Sequence, residues 1–171
     1  QAAAQAVVDR LRAEMWERRG DHLYSHEPLV DAVARAAEIS DGPVILLDHA
    51  DNTGSGGNQD VMTVIEEVIR QGLDDVAVGG LWDPGAVQQM MQAGIGATVT
   101  LALGGKTDMP SIGRLGEPLT VTGKVKVLSD GEWTVRGPMY HGLAVQMGPT
   151  AVLDTGRMQI VIVSLHHEPW D

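Results

Sequence analysis

The chain contains no cysteine. That absence removes a disulfide framework, a thiolate zinc site and a cysteine nucleophile together, and it leaves the redox compartment undecided. Basic residues are scarce as well: 12 Lys+Arg stand against 23 Asp+Glu, a formal net charge of -11 with no basic block. Such a surface has the wrong sign to neutralise phosphates, so nucleic acid is not an expected partner. The longest apolar runs fall far short of the roughly 20 residues needed to cross a bilayer. No charged and then apolar leader opens the chain, so a soluble, cytoplasmic protein without membrane contact is expected. Internal repeats and low-complexity tracts are also missing. What is present is 171 residues with 43% hydrophobic content, enough to bury the core of one compact domain. The chain opens at Gln1 and stops at Asp171 just after a strand-like run, and is expected to be a piece of a longer protein.

Ala4, Val7, Val8, Leu11 and Met15 recur at helical spacing, with Asp9, Arg10, Arg12 and Glu14 elsewhere on the wheel. A second helix carries Leu29, Val30, Val33, Ala34 and Ala37, with Ser25 as its expected cap and an end near Ser40. Asp41-Gly42-Pro43 is turn chemistry leading to Val44-Ile45-Leu46-Leu47, an unbroken apolar run of the kind a strand covered on both faces shows. After the polar stretch from Asp48 to Asp60 comes a helix through Val61, Val64, Ile65, Val68 and Ile69, stopping at Gly72. A strand over Asp75 to Gly79, a helix opened by Asp83-Pro84 and closed at Gly94, and a strand over 97–103 follow. Strands alternating with helices through short connections predict an α/β fold: a small parallel, three-layer βαβαβ unit.

Beyond Gly104-Gly105, Leu119, Val121, Val125 and Val127 alternate with Thr120, Thr122, Lys124 and Lys126, the pattern of a half-exposed antiparallel strand. Ser129-Asp130-Gly131 signals a hairpin, and further β runs lie around 143–147, 150–153 and 158–163. A mostly antiparallel β extension is therefore expected after the parallel unit. The loop 106–117 is the least regular part.

The segment Asp48 to Asp60 sits where a strand meets a helix N-terminus, the place where ligands of open α/β sheets collect. Gly54, Gly56 and Gly57 permit close backbone approach and could aim amides at an anion. Asp48, Asp51 and Asp60 argue the other way, because they repel a phosphate. No P-loop lysine and no G-x-G-x-x-G occur in the segment, and the plainer reading is a tightly turned loop in which Asp51 and Asn52 bond their own backbone. Asp48, His49 and Asp51 also bring metal-ligand types together, as do His22 with His26 and His166-His167-Glu168, but H-E-x-x-H is absent and none of these groupings is specific. Ser55 lacks the G-x-S-x-G spacing of a nucleophile elbow, which excludes a serine hydrolase of that kind. Lys106 ends a strand on the edge that carries the Asp48 loop, where it could pair with Asp48 or Asp51, meet a substrate carboxylate, or simply be solvated. Trp82 reads as a packing residue and Asp83 as a helix cap.

Taken in order, Asp48-x-x-Asp51-Asn52-x-Gly54-x-Gly56-Gly57-x-x-Asp60, Trp82-Asp83-Pro84, Ala93-Gly94-x-Gly96 and Gly104-Gly105-Lys106 resemble the C-terminal domain of the MlrC (microcystinase C-like) bacterial metallopeptidase family. The resemblance covers about Pro43 to Val163, with residues 1–42 resembling a helical connection from an N-terminal domain and 43–171 the C-terminal domain, truncated at its end. Thr53 stands where many relatives have Pro. The resemblance implies peptide-bond hydrolysis with a zinc ion whose ligands, like the catalytic acid, belong to an N-terminal domain, so no catalytic or metal-binding residue is carried over to a position here. Its implied partners are that metal-binding domain and a peptide or other small amide substrate. On this reading Asp48, Asp51, Asn52, Gly54, Gly56, Gly57, Asp60 and Lys106 face the partner domain or the cleft. Two alternatives stay open: a small-ligand or anion-binding module using the Gly-rich loop, and a structural or dimerisation domain forming a homo-oligomer.

Overall fold

A computed structural model of the chain describes residues 2–49, 51–110 and 113–168. Helix α1 (Ala2–Glu17) forms as its spacing predicts, but it buries no residue. A single turn at Arg19–His22 leads to α2 (Leu29–Glu38). Pro28 rather than Ser25 occupies the N-cap position of α2, and no side chain caps it. One face of α2 is anchored: Val33 is fully buried, and Gln71 donates from Nε2 to the Val30 carbonyl at 2.9 Å.

The expected strand at Val44–Leu47 does not form. Residues 43–48 lie outside any strand or helix, and Ile45 and Leu47 are 75% and 86% exposed. An all-apolar strand needs cover on both faces, and here only Val44 and Leu46 are partly covered, at 39% and 38% exposure, while the Ile45 and Leu47 face is left to solvent. Helix α3 (Thr63–Gln71) ends as expected at Gly72, whose left-handed backbone (φ 73°) lets its amide reach the Val68 and Ile69 carbonyls.

Strand β1 (Val76–Trp82), helix α4 (Pro84–Ala93) and strand β2 (Thr98–Leu103) follow in the predicted order. The remaining strands are β3 (Leu119–Ser129), β4 (Glu132–Thr134), β5 (Ala144–Gln146), β6 (Thr150–Asp154) and β7 (Met158–Val163). The fold is α/β, as the alternation implies, but its sheet is mostly antiparallel: the order is β1-β7-β6-β3-β2, and only β1 and β7 run parallel. In place of a parallel βαβαβ unit, β1 and β2 form the two edges. The physical reason lies in the partners. β2 takes its direction from β3, to which six consecutive residues pair antiparallel, and β1 takes its direction from β7.

Helix α4 packs against β2, β3, β6 and β7, and its Ala86, Val87 and Met90 join Leu101, Leu103, Val121, Val125, Leu153, Ile160 and Ile162 in one core. The opposite face of β2 and β3 carries exposed Thr98, Thr100, Thr120, Thr122, Lys124 and Lys126, so cover is one-sided there instead of three-layered. Val127 breaks the predicted alternation. A bulge against β6 between Val125 and Val127 inserts one residue, which turns Val127 outward. The turn at 129–131 also forms, closed by the Ser129 hydroxyl and Asp130 carboxylate on the amides of Gly131 and Glu132. The strands it joins do not pair, because β4 leaves to form a separate two-stranded sheet with β5.

Candidate functional site

Asp51 closes the glycine-rich segment. Its Oδ1 accepts from the Gln59 amide at 2.6 Å and its Oδ2 from the Val61 amide at 2.8 Å, so one carboxylate staples both limbs of the loop. Burial pushes the Asp51 carboxyl above its ordinary pKa, the two amides pull it back, and the nearby Asp48 and Asp60 charges add to the rise; the net direction is upward. Within the staple, Asn52 Oδ1 accepts from Ser55 N and caps the single turn Thr53–Ser55, and the Asn52 carbonyl accepts from Gly57 N at 2.8 Å. Gly57 must be glycine for space: a Cβ there would lie 2.6 Å from the Asp51 carbonyl carbon.

The loop then meets the sheet. Trp82 N donates to the Gln59 carbonyl at 2.6 Å, so the loop runs beside the end of β1. Asp60 follows, buried to 1% exposure. Its Oδ2 accepts from the amides of Lys106 and Thr107 at 2.9 and 3.0 Å, and its carbonyl accepts from Gly105 N. Asp83, 2% exposed, holds the other side: Oδ1 caps α4 through the Ala86 amide, Oδ2 accepts from Gly104 N, and Lys106 Nζ reaches both oxygens at 2.8 and 2.7 Å. Two buried carboxylates thus satisfy four backbone amides and one ammonium, which removes most of the cost of burying their charge. Gly104 and Gly105 are required by the same packing. Both have positive φ (54° and 53°), and a Cβ would lie 2.4 Å from Met62 Sδ at the first and 2.2 Å from the Glu117 carbonyl oxygen at the second.

Although β1 and β2 are opposite edges of the sheet, their C-terminal ends therefore meet, and three motifs far apart in sequence form one hub. The strands are not parallel, as a shared edge for Lys106 and the Asp48–Asp60 loop would require; Lys106 instead lies beside Asp60 through its amide, and its carboxylate partner is Asp83 rather than Asp48 or Asp51. Beside the hub lies a cleft of about 350 Å³, walled by Asp60, Glu66, Gly105, Thr107, Arg114 and Glu117 among others. Sequence reasoning missed Arg114 and Glu66, which stand in no motif. It also missed Gln59, whose side chain exchanges two hydrogen bonds with the His167 backbone across 108 residues. A cap at Asp83 was legible; its ion pair 23 residues away was not.

Several candidate chemistries are not brought together. The amides of Ser55, Gly56, Gly57, Gln59 and Val61 all have partners within the loop, which leaves the glycines no converging donors for an anion. His22 lies in a single turn and His26 outside any helix, so they share no helix face. His49 lies against Tyr24, with ring centroids 5.3 Å apart, and His166 stacks on Trp82 at 4.4 Å. Among the described residues no three His, Cys, Asp or Glu side chains are placed to hold a metal, and no helix is long and apolar enough to cross a membrane.

Comparison with known proteins places this architecture. Over 88 residues the chain is 40% identical to microcystinase C of a Sphingomonas species, covering 52% of this chain and 17% of that protein. The crystal structure of a candidate metallopeptidase from Mesorhizobium sp. BNC1 superposes with a TM-score of 0.75 at 22% identity, covering 90% of this chain and 30% of that one, a likeness of fold. The chain thus spans less than a third of either relative. A family match, described as the MlrC C-terminus, runs over residues 46–171, past the end of β7 and through the last residue. The hub residues Asp51, Asp60, Asp83 and Lys106 all fall within that match, and the chain belongs to the MlrC C-terminal family.

Proposed function

We propose that this chain is the C-terminal domain of a zinc-dependent peptidase or amide hydrolase, and that its hub edge completes or supports a cleft whose zinc is held by an N-terminal domain. The name of the Sphingomonas relative and that of the Mesorhizobium structure support a peptidase-related role. The chain's own donors do not fit the metal. Asp60 and Asp83 are taken up by amides and by Lys106, and no third ligand converges on them among the described residues. No chemical step is therefore assigned to zinc on this chain. Its residues supply position.

The observation that carries the reading is the convergence of Asp51–Asp60, Asp83 and Gly104–Lys106 in one hub where the ends of β1 and β2 meet, beside a polar cleft. Asp48, Asn52, Gly54 and Gly56 lie on the outward part of the same loop, where a partner domain or a substrate can reach them. The test is peptide hydrolysis by the intact enzyme carrying Asp51→Asn, Gly56→Ala or Lys106→Met. At least one should lower kcat/KM about tenfold or more, since displaced positioning groups commonly cost that much. Unchanged kcat/KM in all three contradicts the proposal.

A further inference from the structure

Residues 164–168 leave β7 and turn back over the glycine-rich loop. Ser164 and Leu165 are tied to the preceding turn, the Ser164 hydroxyl donating to the Pro149 carbonyl at 2.6 Å and the Leu165 amide to the Met147 carbonyl at 2.9 Å, and contacts with Trp82, Gln59, Gly54 and Trp133 hold the rest. Trp82 Nε1 donates to the Ser164 carbonyl at 3.1 Å, and the His166 ring stacks on Trp82 with planes 20° apart. Gln59 Nε2 donates to the His167 carbonyl at 2.7 Å, while the His167 amide donates to Gln59 Oε1 at 3.1 Å, a reciprocal pair that mimics a strand pairing. The Glu168 carboxylate lies where a Cβ on Gly54 would stand. The His167 ring also meets the edge of Trp133, with centroids 6.4 Å apart.

These contacts differ in kind from the hub beneath them. The hub is buried: Asp60, Asp83, Gly104 and Gly105 are all out of solvent. The segment lies at the surface, with Leu165 and His166 exposed and His167 and Glu168 half-buried. The tip of the loop is similar, since Asn52, Gly54, Ser55 and Gly56 are exposed and tied to one another by bonds within 52–57. Contacts at the surface, few and partly solvated, open at lower free energy than buried ones. We infer that residues 166–168, hinged on the fixed Ser164 and Leu165, are a latch on the glycine-rich loop: docked, it holds residues 52–57 closed; released, it frees that tip as a unit while the Asp60–Asp83–Lys106 hub stays formed. The inference stands on these contacts alone and needs no assumption about peptidase activity.

Amide hydrogen exchange on the whole protein tests it, read residue by residue for 52–57 and for Gly104, Lys106 and Thr107. Gln59→Ala removes the reciprocal pair, and His166→Ala, at an exposed position that cannot unfold the core, removes the stack. Loss of two hydrogen bonds should speed exchange at residues 52–57 about tenfold in Gln59→Ala. A smaller rise is expected in His166→Ala, with Gly104, Lys106 and Thr107 unchanged in both. Exchange at 52–57 that is unaltered in both variants overturns the latch. So does a rise in His166→Ala that spreads equally to the hub, because the segment would then be part of the core.

Discussion

Gly104 and Gly105 show how one backbone requirement reads out in stability. Each combines a left-handed φ with a Cβ position already taken by Met62, Asp60 or Glu117. Gly56 shares the positive φ (85°) but faces open space. Gly104→Ala should therefore cost about 3 kcal/mol or more, the sum of strain and overpacking, whereas Gly56→Ala should cost about 1 kcal/mol from strain alone. Urea unfolding of the two variants checks the difference, and equal losses would show that the Gly104 pocket is not tight. The same contrast explains what was legible at this scale. Glycines in a loop announce turns, and the Asp51 and Asn52 backbone bonds could be foreseen from residue type. Nothing local to Lys106 says that its ammonium seeks Asp83, because the sheet has to close on α4 before the two meet.

At the scale of elements, the periodic helices and alternating strands were readable, and the failures were failures of partnership. Val44–Leu47 has the composition of a buried strand but lacks neighbours to bury it; β2 looked parallel to β1 until β3 claimed it. Helix α1 is the same problem in helical form, an amphipathic stripe with Leu11, Met15 and Trp16 exposed. A solitary 16-residue helix is marginal in water. Deleting residues 2–17 should consequently shift the Tm of the remainder by less than about 2 °C, since no buried area is lost. A drop several times larger in a melting curve would mean that α1 is covered by the body. Helix α3 carries an element-level titration. The Arg70 guanidinium, with help from Gln71, holds the Glu67 carboxyl at about 2, below its ordinary 4.5. Because folding lowers this pKa, the stability it brings is present above the unfolded value and is lost as pH falls from about 4.5 toward 2. Glu67→Gln should flatten the acid limb of the stability curve in that window and leave its shape above pH 6 unchanged. Urea midpoints measured across pH decide it, and an unchanged acid limb would contradict the pairing.

At the scale of the whole molecule, an acidic chain with no assembled metal ligands among its described residues belongs to a family whose relatives are several times longer. The Asp60 and Asp83 carboxylates, where the ends of β1 and β2 meet, are occupied in fixing residues 51–61 and 104–107 against each other. That division of labour follows from the physics: carboxylates saturated by amides make poor catalysts but rigid supports for a neighbouring wall. Resemblance of the motifs was enough to point to the family. It could not indicate the cleft, because Glu66 and Arg114 are brought to it by α3 and by an irregular loop. The most direct measurement is kcat/KM for peptide hydrolysis by the intact enzyme bearing Arg114→Ala, an exposed cleft-wall change that should leave Tm unaltered. A fall of about tenfold or more at unchanged Tm is expected; wild-type kcat/KM in that variant would show that the cleft takes no part in hydrolysis.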